Sequence, residues 1–213
     1  MSIASDTRFW DKTSRKYAKA AISDLAGYER TLDRTRTLLR PDARVLELGC
    51  GTGTTALRLA TAVTSYLATD VSPAMTAIAE EKRAADPVRG LAFRAATAEA
   101  LAGEPVQYDA VLGFNYLHLV RDLPGTLRSI HGLLKPGGLF ISKTPCLGNM
   151  NALIRLVLLP VMRAIGKAPH VGVFEAGDLD REIRAAGFEI VATEDHSTKG
   201  TGARPYIVAR KKS

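Results

Sequence analysis

The ten residues Arg44 to Gly53, RVLELGCGTG, constrain this chain more than any other stretch. A mostly apolar run of five ends in glycines at alternate positions, Gly49, Gly51 and Gly53, and helical periodicity resumes over 54–64. A chain leaving a central strand for a helix must fold back tightly, and glycine allows both positive φ and close approach of a ligand to the backbone. A dinucleotide fingerprint would need its third glycine at position 54, which is Thr54, so Gly53 falls one residue early. Glu47 lies just before the loop, where a carboxylate suits a cation better than a pyrophosphate. The next strand, 65–70, ends in Asp70, placed to accept both hydroxyls of a ribose lying over the loop. These features describe a positively charged nucleoside that carries no phosphate.

The rest of the pattern repeats the same alternation. Two helices come first: 6–25, with Phe9, Trp10, Thr13, Tyr17 and Ala21 near helical spacing, and 28–39, stopped before Pro41. Strands are predicted at 44–48, 65–70, 91–95, 108–114, 139–143, 188–194 and 206–210, and helices at 54–64, 73–85, 122–134 and 178–186. Residues 135–138, KPGG, read as a turn, and 199–204 as a loop. The apolar stretch 147–165, interrupted by Pro160, reads as an inserted helical segment. The predicted fold is α/β and Rossmann-like: a doubly wound, mostly parallel seven-stranded sheet with helices on both faces, N-terminal helices and a helical lid. One domain spans 1–213, with a helical cap over about 5–40, a core over about 43–145, the insertion over about 147–170 and a closing helix and strands over about 176–211.

Composition narrows the function classes. A chain of 213 residues, 46% hydrophobic and 24% charged, has the balance of an ordinary globular domain and is long enough to build its core without disulfide or metal staples. Its longest uncharged apolar run, 156–162, is far short of a bilayer crossing. The two cysteines, Cys50 and Cys146, have no His or Cys at ligand spacing, so the expectation is a reduced chain with no metal site. The first twelve residues lack the pattern of a secretory signal, which makes the cytoplasm the expected location. A net charge of +7 raises the question of acidic partners, but the basic residues are spread along the chain and read as a solvated face and a charged tail.

Five segments in register carry a family resemblance: VLELGCGTG at 45–53, TDVSPAM at 69–75, ATAEAL at 96–101, YDAVLGFNYLHLV at 108–120 and LLKPGGLFI at 133–141. Together they resemble the class I S-adenosylmethionine-dependent methyltransferases, and within these the small-molecule enzymes of the ubiquinone and menaquinone type. The resemblance implies methyl transfer from S-adenosylmethionine, with S-adenosylhomocysteine as product. It places Gly49, Gly51 and Gly53, with the backbone of Cys50, under the methionyl end, Asp70 on the ribose, and Val71 and Met75 beside the adenine. Where the family usually has Asp-Ala before Glu99, this chain has Thr97-Ala98, a hydroxyl in place of a carboxylate, with the Ala98 amide kept for a ring nitrogen. Phe114 and Asn115 would reach the amino acid end and the methyl group. Tyr17, in an N-terminal segment also resembling the family, would cover the cofactor or pack as core. The loop Phe114-Asn115-Tyr116-Leu117 lacks the proline-containing motif of enzymes that methylate exocyclic amines of bases, so no nucleic acid partner is expected.

Within NYLHLV, His118 suits either a proton acceptor or a structural cap, and it is the one catalytic candidate. His131 reads as a surface residue, while His170 and Glu175 flank the insertion as possible pocket residues. The apolar excess of 147–165 leads to the expectation of a hydrophobic small-molecule acceptor, with a peripheral membrane contact if that segment and the basic first helix act together. The same segment equally suits a core extension or a dimer interface. A nicotinamide-dependent oxidoreductase and a noncatalytic cofactor-binding protein are the rival readings.

Overall fold

The computed structural model describes residues 2–149, 169–198 and 204–212. Two helices, α1 (Ile3–Ala18) and α2 (Leu25–Leu38), precede the alternating core of β1 (Arg44–Leu48), α3 (Thr54–Leu59), β2 (Ser65–Asp70), α4 (Pro73–Ala85), β3 (Leu91–Ala95), α5 (Ala98–Leu101), β4 (Tyr108–Phe114), α6 (Leu123–Leu133) and β5 (Leu134–Lys143). After the insertion come α7 (Ala176–Ala185), β6 (Phe188–Glu194) and β7 (Tyr206–Lys211).

The strands form one sheet in the order β3-β2-β1-β4-β5-β7-β6. β1 to β5 are parallel, and β7 enters antiparallel between β5 and β6. Because both faces are covered, the central strands are near-continuous apolar runs: Val45, Leu46 and Leu48 are at most 1% exposed. Leu101, Leu127, Ile130, Leu179 and Ile183 place α5, α6 and α7 on one face. Leu32, Ala56 and Leu59 place α2 and α3 on the other. The winding reverses between β1 and β4, which opens a crevice beyond their C-terminal ends.

Several elements differ from the sequence expectation. The first helix ends at Ala18, and Asp24 caps a separate second helix by accepting the Gly27 amide at 3.0 Å. The helix after the glycine loop is α3 plus one 3-10 turn, Ala60–Ala62, before Val63 turns extended. The KPGG turn lies inside β5: Leu134 pairs with Tyr108 and Leu139 with Ala110, so the strand bulges outward around Gly137 at φ 73°. His131 is part of the packing, its ring edge-on to Phe188 at 5.2 Å and its carbonyl accepting from Lys211 at 2.8 Å. Of the expected lid helix, a 3-10 turn at Leu147–Asn149 is described, and 150–165 lie outside the described residues, as do 199–203 of the last loop.

Candidate functional site

The glycine loop holds three consecutive alternate residues in the left-handed region, Gly49 at φ 68°, Gly51 at 54° and Gly53 at 76°. Its path is pinned from both sides. The Cys50 amide donates to the Thr69 carbonyl at 2.9 Å, and Lys82 on α4 donates to the Thr52 carbonyl at 2.9 Å. The Gly51 amide donates to one oxygen of Asp70 and the Ser72 amide to the other, both at 2.9 Å. The carboxylate is therefore fixed beside the loop, and each oxygen retains a free lone pair. Burial pushes its pKa above the ordinary value, against the pull of those two amides. A Cβ on Gly51 would meet only the Tyr17 ring, at 3.5 Å, so a narrow slot separates this peptide from an aromatic wall.

That wall is α1, laid across the crevice. Asp11 accepts from the Ser72 hydroxyl at 2.6 Å and the Ala74 amide at 3.2 Å, tying α1 to the start of α4. At the N-terminal end, Asp6 pairs with Arg121 at 2.7 Å and accepts the His170 amide at 3.2 Å. Arg15 and Glu81 also pair, but both side chains are more than half exposed and add little. Trp10 and Tyr17, two turns apart, share one face with ring centroids 6.1 Å apart. Asp11→Ala removes both bonds to α4, and bonds to a charged group contribute about 1.5–3 kcal/mol each. The variant should bind S-adenosylhomocysteine at least tenfold more weakly by calorimetry, be cut faster within α1 by protease and melt several degrees lower.

Beneath α1 lies a cavity of about 270 Å³. Of the residues singled out from the sequence, Tyr17, Gly49, Gly51, Asp70, Val71, Met75, Thr97, Phe114 and Asn115 line it. The Thr97 hydroxyl also caps α5, accepting the Ala100 amide at 3.3 Å. Asn115 sits at φ 51°, a conformation asparagine tolerates better than most residues, and its amide donates to the Lys143 carbonyl at 2.7 Å. The sequence reading missed Trp10, Asp6, Arg121 and Tyr116 as parts of this wall. Spacing Trp10 seven residues from Tyr17 is a signal for the first, and adjacency to Asn115 is one for Tyr116; Asp6 and Arg121 are brought in by tertiary contacts.

A second cavity, of about 550 Å³, adjoins the first through Tyr17, Gly49, Phe114 and Asn115. Glu47 and Cys50 belong to this one, not to the first. Glu47 is 2% exposed and accepts the Tyr66 hydroxyl at 2.7 Å; burial pushes its carboxyl up to about 7. A carboxyl raised from 4.5 to about 7 binds its proton more tightly in the folded state. The stabilisation is therefore complete below about pH 4.5 and lost as pH rises to about 7, a difference of roughly 3 kcal/mol. Urea titrations across that window should show Glu47→Gln lacking this fall; parallel profiles for the two proteins would contradict it. Burial also pushes the Cys50 thiol well above its ordinary range, so it is no nucleophile here.

Gly53 and Ala98 line neither cavity: a Cβ at Gly53 would strike Ala79 and Phe93, and Ala98 is fully buried as the first residue of α5. His118 lines neither as well. Its carbonyl accepts the Gly172 amide at 2.6 Å, and its Nδ1 is buried without a partner among the described residues. Burial lowers its pKa to about 4. Glu175 caps α7 in exchange with Asp178, and neither it nor His170 reaches a cavity wall.

Over residues 15–193 the chain matches a family model described as a methyltransferase domain. It is 36% identical over 115 residues to the ubiquinone biosynthesis O-methyltransferase of Methylocella silvestris, covering 53% of this chain and 44% of that protein. It is 31% identical over 168 residues to a mitochondrial protein of Danio rerio named arginine-hydroxylase NDUFAF5, covering 78% of this chain and 51% of that one. The chain thus spans about half the length, or less, of these curated relatives. The crystal structure of an S-adenosylmethionine-dependent methyltransferase from Mesorhizobium loti superposes on 84% of this chain and 96% of its own, with a TM-score of 0.65 at 22% identity.

Proposed function

The chain belongs to the class I methyltransferase family, and from that premise we propose that it transfers the methyl group of S-adenosylmethionine to a small-molecule acceptor. The observation that carries this reading is Asp70, fixed by two backbone amides at the rim of the cavity between the glycine loop and α1. Its remaining lone pairs suit the two ribose hydroxyls. Val71, Met75 and Thr97 would border the adenine, and Gly49 and Gly51 would pass under the methionyl chain with Tyr17 above. The slot over Gly51 supports this, since any side chain there would fill the space the ligand needs.

When bound, the sulfonium supplies an electrophilic methyl carbon. The protein's own part is alignment and exclusion of water, and positioning supplies about 7–11 kcal/mol of such a barrier. Trp10 and Tyr17 close the cavity from above, while Phe114 and Asn115, shared by both cavities, stand where donor and acceptor would meet. Tyr17 also offers an aromatic face to a cation.

The support for an apolar acceptor, or one reached at a membrane surface, is the composition of 147–165 and the basic residues of α1. No described helix is long and apolar enough to cross a membrane. Sedimentation with anionic liposomes at low salt tests the surface contact, and its absence would remove that part. For the reaction itself, the protein incubated with labelled S-adenosylmethionine and a small-metabolite extract should form S-adenosylhomocysteine. The zebrafish relative's name favours a second reading, in which this fold hosts hydroxylation. Oxygenated product without S-adenosylhomocysteine would replace the first reading by that one, and tighter binding of NADH than of S-adenosylhomocysteine would favour a nicotinamide enzyme.

A further inference from the structure

The second cavity holds two cations that make no ion pair among the described residues. Its wall includes Asp24, Glu47, Lys143 and Arg204. Both acids are bonded to neutral groups and neither forms an ion pair with these cations, although the Asp24 charge attracts Lys143 through space. Asp24 accepts from the Gly27 amide and from the amide and hydroxyl of Thr198, bonds that hold its carboxyl far below the ordinary range. Glu47 lies in the floor, bonded to Tyr66.

The two cations differ. Lys143, half-buried at the C-terminal end of β5, donates to the Thr31 hydroxyl at 2.8 Å and, at 3.4 Å, to the Gly27 carbonyl. Both partners are neutral, and a third N–H remains. Thr31 is itself held, donating to the Gly27 carbonyl at 2.8 Å and lying 3.1 Å from the buried His196 ring, so the ammonium is positioned by a fixed group. Arg204 makes no hydrogen bond or ion pair among the described residues. Burial is the main cause that lowers the Lys143 ammonium pKa; Asp24 pulls it back, Arg204 lowers it again, and smaller effects of Asp195 and Arg30 oppose each other. A half-buried cation with no ion-pair partner is costly, and an anion placed against it lowers that cost.

Lys143 is also close to where transfer would occur. It pairs with Phe114 in the sheet, one strand away from the residues shared by both cavities. Neighbouring strands lie about 4.8 Å apart. An acceptor held at Lys143 therefore presents its nucleophile within the length of a small molecule.

Building on the methyl-transfer reading, we propose that the second cavity is the acceptor site and that it takes a small organic acid, its carboxylate seated against Lys143 and Arg204. The hydroxyls of Tyr28, Thr31, Thr55 and Ser197 on the same wall would serve the acceptor's own polar groups.

The test uses matched pairs that differ only in charge: glycolate, salicylate and 4-hydroxybenzoate, each against its amide, titrated into the protein with and without S-adenosylhomocysteine. At least one acid is expected to bind tenfold or more tightly than its amide. That preference should vanish in Lys143→Met, shrink in Arg204→Gln and persist in Lys143→Arg, with S-adenosylhomocysteine affinity unchanged in all three. If no acid outbinds its amide, or if the preference survives Lys143→Met, the proposal is overturned. A tenfold loss of S-adenosylhomocysteine affinity in Lys143→Met would instead assign the cation to the cofactor's carboxylate and equally overturn it. Failure of the wild-type protein to bind S-adenosylhomocysteine would sink the underlying reading, whereas the acid preference is read separately in the titration without it.

Discussion

Asp70→Ala is expected to weaken S-adenosylhomocysteine binding by about a hundredfold or more, with the fold intact. Two charge-assisted bonds to a ribose contribute about 1.5–3 kcal/mol each, and every 1.4 kcal/mol is a factor of ten. The substitution also frees the Gly51 and Ser72 amides, which Asp70 holds at 2.9 Å, so the loop and the start of α4 lose a shared anchor. Asp70→Asn keeps an acceptor for one amide and should fall between the two. The fold should survive because burial raises the Asp70 pKa: the carboxylate is held at some cost, and removing it relieves that cost. Calorimetry gives the affinity, and a melting temperature within a few degrees of wild type gives the control.

Gly53→Ala is expected to show the opposite behaviour, a large loss of stability whatever happens to binding. At φ 76° a left-handed alanine costs about 1–2 kcal/mol, and its Cβ would lie 2.7 Å from Ala79 Cβ and 2.8 Å from Phe93, adding an overpacking strain of about 1–3 kcal/mol. At about 2–4 °C per kcal/mol for a chain of this length, the melting temperature should drop by roughly 5–15 °C. Gly51→Ala is the contrast. At φ 54° it carries the same left-handed cost, but its Cβ would meet only Tyr17, at 3.5 Å, so without the overpacking strain the melting temperature should fall less while the slot closes to ligand. The three glycines look alike in sequence but do different work: Gly49 and Gly51 face the cavity, and Gly53 lets α3 start against α4 and β3. If Gly51→Ala melted lower than Gly53→Ala, this division would be wrong.

Much of the fold was legible because parallel strands buried on both faces are short unbroken apolar runs between turn signals. β1 and β4 begin and end where such runs do, and β2 and the edge strands β3 and β6 also keep the bounds expected from the sequence. The sequence was less clear where two local signals compete. Residues 19–24 continue an amphipathic pattern, but α1 stops at Ala18 and Asp24 caps the start of a new helix. KPGG is turn chemistry, yet Leu134 still reaches Tyr108 across the sheet and the strand bulges around it.

In the site, the residues on the first two strand ends could be placed from spacing alone, since β1 and β2 are adjacent and in register from Arg44 with Ser65 to Leu48 with Thr69. Which side of the sheet edge each faces could not. Glu47 and Cys50 fall on the second cavity's wall, and the engagement of Asp6 with Arg121 joins residues more than a hundred positions apart. Lys143 carried no signal, because a lysine ending a strand is ordinarily a solvated one; only the placement of Thr31 and Gly27 around it shows otherwise.

A crystal structure of the protein grown with S-adenosylhomocysteine addresses the central claim most directly. The account predicts the ribose hydroxyls within hydrogen-bond distance of both Asp70 oxygens, the adenine between Met75 and Thr97, and the homocysteine chain crossing Gly51 beneath Tyr17. A ligand bound elsewhere, or a ribose turned away from Asp70, would contradict it.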